Sequence, residues 1–280
     1  MRLNTVHLLP SLMISAIVCG CATTSKVQEN LDAVLWVQSS AEFVAATTST
    51  YAAASTALKK IVADDPIRVD QMVVVMDVDE TILDNSAYQA QSVLDNKDYQ
   101  DESFDRFAAR RETPAIPGSI DFIKSSRDMG VDVIFVTNRR CREREYSLGE
   151  CPNKEDTLVN LRSLGIEVSS DALFFLGDQR PDRCRYLPPA SDREQGRWID
   201  SDKSYRRQCI ELDHEIVMLI GDQLGDFVGG LENATPETRR LLVGEHKEKW
   251  GHTWFIVPGP TYGAWLRLLD PDKRSHLRGW

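Results

Sequence analysis

MVVVMDVDETILDN, residues Met72 to Asn85, decides the fold of this chain. Met72 to Met76 is a continuous apolar run centred on β-branched valines, the pattern of a central strand covered on both faces of a parallel sheet. Asp77 and Asp79 follow it with one residue between them. In open parallel sheets ligands bind just beyond the carboxyl ends of the strands, so both aspartates stand at the mouth of that crevice. Two carboxylates this close repel each other, and a divalent ion with oxygen ligands is a common way to hold both ionised. A helix-capping cluster after a strand is the plainer reading of the same residues. An EF-hand loop is excluded, because its sixth position would be Ile82 where glycine is needed, and its twelfth Tyr88 where glutamate is needed.

Strand and helix patterns alternate on either side of this stretch. Upstream, Val27 to Ala63 is helical in pattern, with Leu31, Val34 and Leu35 on one stripe continued by Val44, Thr47, Tyr51, Ala54, Leu58 and Ile61, and Asp64-Asp65-Pro66 ends it. Downstream, Ser86 to Thr113 is polar but carries Tyr88, Tyr99, Phe104 and Phe107, consistent with a small helical cap over the crevice. Pro117-Gly118 opens a helix that Gly130 closes, and Val131 to Val136 is the next buried strand. It ends at Thr137-Asn138-Arg139, a hydroxyl, an amide and a guanidinium that together suit an oxyanion. A helix over Lys154 to Leu164 and a strand over Leu173 to Leu176 follow, then an Arg/Pro/Asp-rich excursion from Gly177 to Asp202. Val217 to Ile220 is another strand with carboxylates after it, Asp222 and Asp226, and Phe255 to Val257 is the last. This alternation predicts an α/β fold with a doubly wound parallel sheet and a small helical cap.

At 280 residues and 42% hydrophobic composition the chain can bury a substantial core. Its net charge of -10, with no Lys/Arg-rich tract to offset it, excludes a nucleic-acid polymer held by phosphate contacts. An anionic substrate would need a local cation. Residues 1–20 have one early arginine, an apolar stretch from Leu8 to Val18 and then small residues, the pattern of an export signal and too short for a membrane span. Val18-Cys19-Gly20-Cys21 resembles a bacterial lipobox, which makes Cys21 the expected lipidation site and the mature chain anchored to the membrane rather than spanning it. An ordinary cleaved signal with a chance cysteine is the alternative. Beyond Cys21 four cysteines remain, an even count that in an oxidising compartment favours disulfides, with three possible connectivities. Cys141 and Cys151 bracket a short charged segment, which favours that pair and leaves Cys184 with Cys209. A zinc site lacks support from any C-x-x-C or nearby histidine, and free core thiols follow if the chain is not exported.

Four strings now fall in order: DVDET at Asp77 to Thr81, VTNRR at Val136 to Arg140, the lysine of SDKSYRR at Lys203, and GDQLGDF at Gly221 to Phe227. They resemble the four motifs of the haloacid-dehalogenase superfamily. The lipobox, LWVQSSAEF from Leu35, DNSAYQ from Asp84 and PGPTYGAW from Pro258 further resemble the class C bacterial acid phosphatases, outer-membrane lipoproteins related to 5'-nucleotidases. The segments Cys141 to Cys151 and Gly177 to Asp202 look longer than in that family, and Phe104 and Phe107 stand where tryptophans are expected.

The resemblance implies a lipoprotein signal over residues 1–20, a tether with packing helices over 21–65, and a phosphatase core over 66–280 with its cap at about 86–113. It implies phosphomonoester hydrolysis with Asp77 as nucleophile and Asp79 as acid and base. Magnesium would be held by Asp77, the Asp79 carbonyl, Asp222 and Asp226. Thr137 and the Asn138 amide, with Arg139 beside them, would hold the phosphoryl oxygens, and Lys203 would neutralise their charge. Tyr262 resembles the family's base-stacking tyrosine and, with Phe104 or Phe107, would favour nucleoside 5'-monophosphates; a structural tyrosine packed on Trp265 is the alternative. A phosphotransferase, and a non-catalytic ligand-binding or adhesin lipoprotein, remain open on this fold, as does a homodimer.

Overall fold

Strands β1 (Met72–Met76), β2 (Asp132–Arg140), β3 (Leu173–Leu176), β4 (Glu215–Gly221) and β5 (Trp254–Ile256) form one all-parallel sheet in the order β3-β2-β1-β4-β5. This computed structural model describes residues 30–144, 149–269 and 272–279, so the signal expected over 1–20 and Cys21 lie outside the described residues. The MVVVM strand is central and wholly buried. Because side chains alternate across a strand, Met72, Val74 and Met76 enter one core cluster while Val73 and Val75 enter the other. Both faces are therefore covered, as the unbroken apolar run requires.

The helices are α1 (Leu31–Ser39), α2 (Ala41–Asp64), α3 (Ser86–Asp95), α4 (Asp101–Ala108), α5 (Ser119–Asp128), α6 (Pro152–Ser163), α7 (Ala190–Gln195), α8 (Ser204–Ile210), α9 (Pro236–Glu245) and α10 (Ala264–Arg267). Tyr51 and Leu58 of α2, Phe122 and Ile123 of α5, and Leu158 and Leu161 of α6 fill the first core cluster. Ile210 at the end of α8, with Trp198, Phe227 and Trp254, fills the second. Helices α3 and α4 make the cap, where Tyr88 packs edge-on to Phe104 and Tyr99, and Phe107 lies beside them.

Three sequence expectations need correction. The N-terminal helical pattern is broken at Ser40, whose hydroxyl caps α2 by accepting from the Phe43 N–H at 3.0 Å. The inward face of the pair is Val34, Val37, Phe43, Thr47, Tyr51, Ala54 and Leu58, while Leu35 and Val44 are each 48% exposed. Strand β2 continues to Arg140 instead of stopping at Val136, so Thr137, Asn138 and Arg139 sit on extended backbone and alternate buried, exposed, buried.

Both disulfides pair as the spacing favoured, Cys141 with Cys151 and Cys184 with Cys209. The first closes a loop whose Arg142 bonds Asp101 and Asp105 of the cap, at 2.5 and 3.0 Å, while Arg144 reaches Asp156 of α6 at 2.6 Å. The loop thus fastens α4 to the core. In the chain-entropy account a ring of this size contributes about 2 to 3 kcal/mol. Cys141→Ser should lower urea-unfolding stability by roughly that amount, and should expose Arg142 and Arg144 to trypsin under conditions where the intact protein resists it. Equal cleavage rates in the two proteins would show that the disulfide does not hold the loop.

Candidate active site

The site is built where β1 and β4 end side by side. The Asp77 N–H donates to the Ile220 carbonyl at 3.0 Å, which carries the β1–β4 pairing one residue past the strand. Asp77 and Asp222 then leave neighbouring strands into the same crevice. Asp226 returns to it through a tight turn, in which its Oδ2 accepts the Gln223 N–H at 2.9 Å. Two glycines make room. A Cβ on Gly221 would collide with the Asp226 carboxylate, and one on Gly259 would lie 2.7 Å from Asp222 Oδ2.

Carboxylate oxygens of Asp77, Asp222 and Asp226 all lie within 4.8 Å of one another, and all three residues are buried. Lys203, at the start of α8, places its Nζ 2.6 Å from Asp77 Oδ1 and 2.5 Å from Asp226 Oδ1. Burial works against this ammonium, but the charges of Asp226 and Asp77 outweigh it and raise its pKa. For Asp77 burial is again the largest influence; with Asp226 and Asp79 nearby it pushes the carboxyl up to about 7, against the pull of Lys203. Burial, then Asp226, Asp77 and Glu80, raise Asp222 well above the usual carboxylate range. Three crowded carboxylates served by one lysine are a cluster still short of positive charge. The donors are all oxygen, which fits a hard divalent cation.

Asp79 faces a different set of partners. Its carboxylate accepts from Arg139 Nε at 2.9 Å and Nη2 at 2.8 Å, from Asn85 Nδ2 at 2.8 Å and from Thr137 Oγ1 at 3.3 Å. Arg139 spends its remaining donors on Thr157 Oγ1 and Asn85 Oδ1, and its guanidinium lies 5.3 Å from the centroid of the Phe104 ring. Arg139 is therefore engaged in holding Asp79. Thr137 is buried beside it, whereas Asn138 points the other way and donates to the Ser201 carbonyl at 3.0 Å. Tyr262, in the loop after β5, donates its hydroxyl to Glu80.

Several residues that shape the site carry no sequence signal of their own. Arg206 is fully buried and donates to the Thr137 carbonyl at 2.7 Å and to Asn138 Oδ1, so α8 holds the end of β2. Arg207 donates to the Asp226 carbonyl at 2.8 Å and to that of Phe227. The two follow Lys203, the N-cap of α8, at about one helical turn, which places three cations against the ends of β1, β2 and β4. Asn85 and Glu80 buttress Asp79 from within its own loop. The SDKSYRR string held the hint, since arginines three and four residues after a lysine on helical backbone lie on the same side of the chain and can serve the same crevice.

Comparison with known proteins agrees with this arrangement. The family model for the haloacid-dehalogenase superfamily, subfamily IIIB (acid phosphatase), matches residues 13–265. The class C acid phosphatase from Bacillus anthracis superposes with a TM-score of 0.72 at 26% identity, covering 91% of this chain and 98% of that one. The same enzyme with tungstate bound gives 0.72 at 25% identity, over 91% and 99%. A doubly wound sheet, acid clusters at its strand ends and a family match over most of the length lead to one conclusion: this chain belongs to the acid phosphatases of haloacid-dehalogenase subfamily IIIB and is a phosphomonoesterase.

Proposed function

We propose that the protein hydrolyses nucleoside 5'-monophosphates with magnesium, through an aspartyl-phosphate formed on Asp77. The observation that carries this reading is the Lys203 ammonium held between Asp77 and Asp226, with Asp222 in the same cluster. An Asp77 oxygen attacks phosphorus, the ester P–O bond breaks, and Asp79 delivers a proton to the departing alkoxide. Asp79 then takes a proton from water as that water attacks the phosphoaspartate, which releases phosphate and restores Asp77. Thr137 Oγ1 and the Asn138 N–H bind phosphoryl oxygens, and Lys203 offsets the charge that gathers on them. Asp77, Asp222 and Asp226, with the Asp79 carbonyl, would hold magnesium, which when bound would supply the positive charge that lets an anionic nucleophile approach an anionic ester. Tungstate, which the Bacillus anthracis enzyme binds, is a tetrahedral oxyanion like phosphate and supports an oxyanion site here.

The nucleoside preference rests on two aromatics that approach Asp79 from different elements. Phe104 of the cap covers Arg139, and Tyr262 reaches Glu80, the neighbour of Asp79. Stacking on such rings contributes about 1 to 3 kcal/mol per base. We place the protein in the outer membrane as a lipoprotein anchored through Cys21, a reading supported by the lipobox and by the resemblance to the outer-membrane class C acid phosphatases; among the described residues no helix is long and apolar enough to cross a membrane.

Two variants test this mechanism. Asp77→Asn should lower kcat by a factor on the order of 10^4 or more and leave no acid-stable phosphoenzyme. Asp79→Asn should lose about 10^2- to 10^4-fold on alkyl phosphates, yet still release a burst of nitrophenol from p-nitrophenyl phosphate while phosphoenzyme accumulates. Near wild-type turnover by Asp77→Asn would refute the assignment.

The buried acids also set a pH dependence of stability. Asp77 and Asp222 have folded-state pKa values raised above those of the unfolded chain, so without metal the fold binds extra protons: the share of stability due to Asp77 is lost as pH rises from about 4 through about 7, and Asp222 acts in the same direction. Magnesium should therefore raise the melting temperature of chelator-treated protein more at about pH 7.5 than at about pH 5. A shift independent of pH would contradict binding at these carboxylates. For the anchor, fatty-acid labelling of cells should mark the wild type and not Cys21→Ser; equal labelling would remove Cys21 as the site.

A further inference from the structure

Glu80 takes no part in the chemistry described above, yet it is buried beside Asp79 in the DVDET loop. Its backbone is left-handed, with φ at 54°, a conformation that a residue other than glycine keeps only where its surroundings hold it. Both of its carboxylate oxygens are used. Oε1 accepts the Asn85 N–H at 3.2 Å, and Oε2 accepts the Tyr262 hydroxyl. Asn85 in turn donates to Asp79, so one side chain joins the loop that carries the acid to a residue far along the chain.

The loop that carries Tyr262 is moulded onto the same centre. Gly259 lies flat against Asp222, and Gly263, at φ 141°, leaves space that the Gln223 amide fills. Gln223 accepts the Ala264 N–H at 2.9 Å and donates to the Tyr262 carbonyl at 3.4 Å. The Tyr262 backbone is thus held from the GDQLGDF turn and its hydroxyl from the DVDET loop. A ring tethered at both ends has little freedom left to lose when a ligand packs against it.

We infer that Glu80 is a specificity-positioning residue: by accepting the Tyr262 hydroxyl it fixes the tyrosine ring as a rigid wall for the leaving group, next to the acid Asp79. This rests on the reading of Tyr262 as a nucleobase contact. The wall recognises a flat aromatic leaving group and gives nothing to a bare sugar phosphate.

The quantity to measure is the ratio of kcat/KM for AMP to kcat/KM for ribose 5-phosphate, taken on one enzyme preparation with magnesium. Tyr262→Phe keeps the ring and removes only the tether, and should lower the ratio about fivefold to tenfold, through KM for AMP. Glu80→Ala should lower it by a similar factor, and the double variant should fall no further, because both changes break one bond. Glu80→Gln should restore most of the ratio, since an amide can accept from Asn85 and donate to the tyrosine oxygen. Melting curves identify any variant that fails to fold, and Tyr262→Phe decides the matter if Glu80→Ala does. An unchanged ratio in Tyr262→Phe, with a drop in Tyr262→Ala, would overturn the role of Glu80 and leave the nucleobase contact standing. An unchanged ratio in Tyr262→Ala would remove both. Factors that multiply in the double variant would show that Glu80 acts elsewhere.

Discussion

A buried ammonium among buried carboxylates is the constraint on which the rest of the site depends. Lys203 Nζ lies within 2.6 Å of two aspartates, Asp77 at the end of β1 and Asp226 in the turn after the neighbouring strand β4, and Asp222 completes the group. Desolvation makes such a cluster costly unless its charges are matched. One lysine cannot match three acids, so the fold is arranged to hold a second cation. The same imbalance suits phosphate chemistry, in which negative charge must be brought close to negative charge.

Around that cluster the structure gives two neighbouring aspartates different surroundings. Asp77 shares its environment with Lys203, Asp222 and Asp226. Asp79, two residues on, turns to Arg139, Asn85 and Thr137. Each aspartate has its own cation, supplied by a different element, which suits the two different roles proposed for them. Helix α8 and its N-cap contribute Lys203, Arg206 and Arg207 to the strand ends, and the cap contributes Phe104 beside Arg139. The disulfide loop then ties the cap helix to the core through Arg142.

Much of this was legible because burial leaves a mark on sequence. An unbroken apolar run such as MVVVM has few uses other than a central strand, and acids placed directly after two such runs point to strand ends. Cysteine spacing suggested both disulfides. The parts that were hidden involve charged residues whose partners lie far away along the chain. Lys203 by itself looks like a surface lysine; it is buried because Asp77 and Asp226 meet it there. Arg139 sits in a triplet that suits an oxyanion, and only the folded chain shows its guanidinium committed to Asp79. Glu80 follows two aspartates and is easily taken for more of the same acidic loop. The strand extension to Arg140 and the break at Ser40 were missed for a simpler reason, since hydrophobic periodicity is silent about polar residues that continue or cap an element.

In the proposed reaction the Asp77 carboxylate, and not its neighbour two residues away, meets phosphorus. A crystal structure of the protein grown with magnesium and beryllofluoride, a mimic of an acyl phosphate, tests this most directly. Beryllium should be bonded to an Asp77 carboxylate oxygen, with the Lys203 ammonium against a fluoride and metal density between Asp77, Asp222 and Asp226. Beryllium bonded to Asp79, or to neither aspartate while Asp77 stays paired with Lys203 alone, would contradict it.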